Sequence, residues 1–164
     1  MRSGGRMTIA AGPPTAIHRI VERCRAGAYP ASVARLQSGW VVMGDRQVFT
    51  GQCMLLPDPV VGQLNALEGA GRSQFLADMA LTGDAVLACT AAVRINYAMF
   101  GNAEPALHAH VIPRQITEPE ALRTAYPWAL DWALAPEYTD AVHGELKHRL
   151  AAFLQERRHG IAGE

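Results

Sequence analysis

The run Ala106-Leu107-His108-Ala109-His110-Val111-Ile112 constrains this chain more than any other stretch. Its residues alternate, and successive side chains of a strand point to opposite faces. His108 and His110 therefore share one face, about 7 Å apart at their Cα atoms. Leu107, Ala109 and Val111 share the other. Upstream, Arg94–Phe100 is rich in strand formers and ends at Gly101-Asn102, a turn signal. Downstream, Pro113 is expected to stop the ladder. The unit reads as strand, tight turn, strand. Two adjacent imidazoles, with the amides of Asn96 and Asn102 before them, suit an anion site or a metal site better than a core.

The rest of the chain supplies a sheet and a cover for it. Thr15 is placed to cap a helix running to about Ala26, with Ile17, Ile20, Val21 and Cys24 on one side. Ser32–Leu36, Trp40–Met43 and Gln52–Leu56 read as strands, and their short connections suggest an antiparallel meander. Ser73 is expected to cap a long helix through about Ala91, and Gly83 inside it to mark a close crossing over the sheet. After Arg114 come a short helix near Glu120, an aromatic segment holding Trp128 and Trp132, and a last helix over Thr139–Arg157.

The predicted class is α+β: an antiparallel sheet of about five strands packed with a long helix. Residues 1–13 are expected to form a mobile head. Residues 14–116 should be the domain proper, and 117–164 a C-terminal helical extension packed on it.

Composition excludes several classes. Of the 164 residues, fifteen are basic and fifteen acidic, so no basic surface for nucleic acid is expected. Cys24, Cys53 and Cys89 are widely spaced, which predicts buried free thiols and a reducing compartment. No apolar run approaches the ~20 residues of a membrane helix. The chain is read as cytoplasmic, without a membrane partner.

Ala106–Arg114, with Ile95-Asn96-Tyr97 and Gly101-Asn102 before it, resembles the signature of the histidine triad (HIT) family. That signature is three alternating histidines, often followed by Pro-Arg. Here Ala106 stands where the first histidine would be, and His108 and His110 take the second and third places. Less specifically, Gly51-Gln52 resembles a Gly-His pair of the family, with Gln52 in the place of that histidine.

The resemblance implies a HIT-like fold, a twofold dimer, no cofactor, and a nucleoside phosphate or dinucleoside polyphosphate as ligand. It implies that His108 attacks the α-phosphate and that a nucleotidyl-histidine forms. His110 would stabilise the phosphoryl oxygens or assist the leaving group. Asn96, Asn102 and Gln52 would donate hydrogen bonds to phosphate, and Asp45 is a candidate for a ribose hydroxyl. Two other readings compete with this hydrolase or transferase. One is a regulatory nucleotide-binding protein with lost or weak catalysis, which Ala106 and Gln52 favour. The other is a metal-dependent enzyme using His108 and His110 as ligands, for which the sequence offers no evident third ligand.

Overall fold

Two apolar runs form the middle of the sheet. β2 (Gly39–Met43) and β3 (Cys53–Pro57) pair antiparallel from Gly39↔Pro57 to Met43↔Cys53, and most of their residues are buried. The computed structural model describes residues 13–161, so the expected head falls outside the described residues except for Pro13. β1 (Ser32–Arg35) flanks β2, and β5 (Ala109–Arg114) flanks β3 on the other side. β4 (Arg94–Ala98) pairs with β5 and forms the far edge. The order β1-β2-β3-β5-β4 has five strands, with antiparallel pairing throughout.

β1, β2 and β3 form the expected antiparallel meander, and the last two strands do not continue it. The chain leaves β3, crosses through the long helix α2 (Gly69–Cys89) to the outer edge, and returns as β5 between them. A segment inserted between two strands is protected on both edges, and every residue of β5 is buried.

α2 lies against β3, β4 and β5. Gly83 makes the close approach expected of it: a Cβ there would fall 2.1 Å from Tyr97 Oη. The helix begins at Gly69 after Glu68, one turn before the predicted cap at Ser73. Ser73 is inside the helix and donates its hydroxyl to Gly69 O at 3.3 Å. α1 (Ala16–Arg25) starts after Thr15 and buries Ile17, Val21 and Cys24 as its spacing predicted. Beyond a four-residue α3 (Glu120–Arg123), α4 (Asp140–Ile161) packs against α2 and β1. Cys24, Cys53 and Cys89 are buried free thiols. Among the described residues, no helix is long and apolar enough to cross a membrane.

Pro113 does not stop the ladder. It pairs with Ile95, and Arg114 beyond it pairs with Arg94. Arg114 O accepts from Val93 N on the β4 side, so the Pro113 nitrogen faces β3. The β3 pairing has already ended there, at Cys53↔Val111, and no ladder donor is needed.

Gly39 carries the tightest backbone contact in the sheet. A Cβ there would lie 1.9 Å from Leu56 O and 2.8 Å from Pro57 Cα, atoms that no rotamer change can move. Gly39→Ala should cost about 2 kcal/mol, read as a lower urea midpoint at unchanged slope.

Candidate active site

The segment before β5 is pinned before it enters the sheet. Leu107 N donates to Val61 O at 2.7 Å. His108 is the last residue outside the strand and His110 the second inside it, so they do not share a strand as expected. Their rings still meet, with centroids 4.9 Å apart and planes at 75°.

His108 Nδ1 lies 2.8 Å from Ala106 O. A carbonyl only accepts, so Nδ1 carries the proton and the neutral ring keeps its lone pair on Nε2. The Ala106 backbone provides this contact, so it needs no particular side chain at that position. His108 also lines a groove of about 1360 Å³, walled by the start of α1, the 60–66 loop and the 99–107 loop.

His110 sits under an aromatic roof. The Trp128 ring stands edge-on to it at 4.9 Å and Trp132 at 6.5 Å. The two indoles stack at 5.6 Å, and Phe100 packs against Trp128 at 4.6 Å. Trp132 Nε1 donates to Pro127 O at 2.8 Å, which ties the roof to its own turn. Burial penalises the imidazolium, and the neighbouring His108 adds to this, so the His110 pKa is pushed down to about 4. His110 is therefore neutral at physiological pH.

The other predicted residues divide between near and far. Gln52 directly precedes β3, and the register places it on the same sheet face as Met54 and His110. It is fully buried. Gln52 Oε1 and His110 Nδ1 are the two buried side-chain polar atoms with no hydrogen-bond partner among the described residues. Asn96 is on that face too, because it pairs with Ile112 while Ala98 pairs with His110, but it is exposed on the edge strand. Asn102 is exposed and lines the groove with His108.

Asp45 is engaged elsewhere. Its carboxylate accepts from Tyr29 Oη, and its carbonyl accepts from Tyr138 N at 2.8 Å. No described contact joins it to the histidine pair.

The roof residues Phe100, Trp128 and Trp132 carried no assigned role in the sequence. Trp128 and Trp132 are four residues apart in a Pro-punctuated stretch, which signals an aromatic cluster but not its target. Among the described residues, no three His, Cys, Asp or Glu side chains converge in a way that could hold a metal ion.

No family model matches the sequence, and neither does any curated protein. Solved structures do match in shape. A histidine triad protein from Sinorhizobium meliloti is 19% identical with a TM-score of 0.60, covering 82% of this chain and 93% of its own. One from Bradyrhizobium japonicum is 16% identical with a TM-score of 0.65, covering 87% and 99%. A hypothetical histidine triad nucleotide-binding protein from Sulfolobus tokodaii is 11% identical with a TM-score of 0.66, covering 84% and 92%. The chain has the fold of the histidine triad proteins.

Proposed function

We propose that this protein binds a nucleoside phosphate and transfers its nucleotidyl group through His108. The observation that carries the reading is the His108 Nδ1 contact with Ala106 O, which leaves Nε2 as the nucleophilic nitrogen. Nε2 forms a bond to the α-phosphorus while the leaving-group oxygen departs with its electron pair. Water or another acceptor then attacks phosphorus and frees His108.

His110, held neutral, serves as a hydrogen-bonding neighbour of the phosphoryl oxygens rather than as an imidazolium. Gln52, Asn96 and Asn102 supply amides around the same face and groove. The unpartnered His110 Nδ1 supports a ligand role, because a buried polar atom without a partner is uncommon and calls for one. The nucleotide-binding description of the Sulfolobus tokodaii protein points the same way. Asp45, already bonded to Tyr29, is left out of this assignment.

A second reading has specific support: a nucleotide-binding regulator without turnover. Ala106 and the indole roof over His110 favour it. Incubating the protein with α-labelled nucleoside triphosphate, quenching in denaturant and counting label on the chain separates the two. Stable label at His108 supports transfer. Binding without label, even in a single turnover, supports the regulator.

The functional unit we propose is a twofold dimer formed by residues 14–116, with residues 117–164 adding the roof from the same chain. Tyr97 on the β4 edge, Val93 before it, and Leu76 and Leu87 on α2 are exposed apolar residues that a second copy would cover. Light scattering at micromolar concentration should give about 35 kDa, twice the 17.7 kDa chain. A particle of single-chain mass would reject the dimer.

A further inference from the structure

The geometry points to Glu104 as a positioning residue for His108, a role that rests on the nucleotidyl-transfer reading for its catalytic consequence. The Glu104 carboxylate bridges two backbone donors. Oε2 accepts from Ala16 N, the first amide of α1, at 3.1 Å. Oε1 accepts from Ala106 N at 3.3 Å. Ala106 is the residue whose carbonyl receives the His108 Nδ1 proton at 2.8 Å.

Three constraints therefore meet at Ala106. Glu104 holds the peptide before it. Leu107 N, donating to Val61 O at 2.7 Å, holds the peptide after it. Pro105 restricts the backbone between Glu104 and Ala106. The carbonyl that selects the His108 tautomer belongs to the second of these peptides, and Glu104 fixes the backbone on the other side of the same residue.

A carboxylate suits this task. It accepts only, it has an oxygen for each of the two donors, and its charge is favoured at a helix N-terminus. The methyl side chain of Ala106 is buried and has no polar atom with which to hold itself. The peptide is instead fixed from outside, and Glu104 docks it onto α1. Glu104 acts on the reaction only through the Ala106 carbonyl and His108.

The test uses the full chain with 15N-labelled histidine at about pH 8, where an ordinary imidazole is neutral. Two-bond nitrogen–proton correlations then report which ring nitrogen of His108 is protonated. Wild-type protein should show one tautomer, with the proton on Nδ1. Glu104→Ala should show a mixture of tautomers, and its rate of labelling by α-labelled nucleotide should fall about tenfold.

Glu104→Gln keeps one acceptor oxygen and should fall between the two. It also serves as the readout if Glu104→Ala does not fold. Ala16→Pro removes the helix donor and puts its ring carbon where that hydrogen pointed, at a position where Pro is otherwise tolerated, so Glu104 loses its dock on α1 and the tautomers should mix here too. A single Nδ1-protonated tautomer with unchanged labelling in Glu104→Ala would overturn the proposal. So would an Ala16→Pro protein with a single Nδ1-protonated tautomer, because the bridge to α1 would then play no part in holding the carbonyl. If wild-type protein takes no label, the nucleotidyl-transfer reading fails, while the tautomer comparison still decides the role of Glu104.

Discussion

His108→Ala should bind nucleotide yet form no covalent adduct, with turnover reduced about a thousandfold or more. The substitution removes the one atom proposed to bond to phosphorus. It leaves the groove, the Gln52 and Asn102 amides and the indole roof in place. His110→Ala should behave differently. Loss of one hydrogen-bonding partner of the phosphoryl oxygens costs about 3 kcal/mol of barrier, or roughly a hundredfold in rate, without closing the route. The His110→Ala protein should therefore still take up label, slowly.

The two variants separate nucleophile from stabiliser because their side chains are neighbours with unequal surroundings. The His108 ring is oriented by a carbonyl and lines the groove. The His110 ring has no hydrogen-bond partner on Nδ1 among the described residues and lies beneath Trp128. Radiolabelled nucleotide is trapped on each purified protein, with circular dichroism as the folding check. Labelled, active His108→Ala protein would remove the mechanism and leave a likeness of fold alone.

Local periodicity made much of this fold legible and stopped where partners are distant in sequence. Thr15, the α1 stripe and the two apolar strands were readable because each follows from neighbours a few residues away. Gly83 was readable because a glycine within a helical stripe has few reasons except close approach. Strand order was not, since nothing in the β5 residues says that they enter between β3 and β4. Pro113 was misread for the same reason: its tolerance depends on where the β3 ladder ends.

The site was legible as a pair of histidines on alternate positions. Its supports were not. Val61 and the start of α1 hold the segment that carries His108, through a loop carbonyl and the Glu104 carboxylate bridge, and Trp128 reaches His110 with a ring edge. Such contacts leave no period in the sequence. Asp45 shows the converse, a turn carboxylate that attracted a ligand role and is bonded to Tyr29.

Burial of His110 should make the protein lose stability in acid earlier than its carboxylates require. The His110 pKa lies at about 4 in the folded chain, against 6.5 for an ordinary imidazole. Above the ordinary value both folded and unfolded chains hold the ring neutral, and stability is full. As pH falls below it, the unfolded chain binds a proton that the folded chain refuses. Stability therefore declines until the folded ring also titrates, with a total loss of about 3 kcal/mol.

His110→Gln removes this titration and keeps a polar side chain of moderate size. Urea unfolding at neutral pH and at about pH 4.5 should show wild-type protein losing about 2 kcal/mol more than His110→Gln. The carboxylates of Asp58 and Glu118, held low by Arg25 and Arg114, titrate alike in both proteins and cancel in the comparison. Equal acid sensitivity of the two proteins would mean that His110 is hydrated in solution and that the indole roof stands open. The same neutrality bears on mechanism: a ring that gains its proton only near pH 4 contributes no rate dependence of its own between pH 5 and 8. Any acid limb of turnover in that range then belongs to a group other than His110.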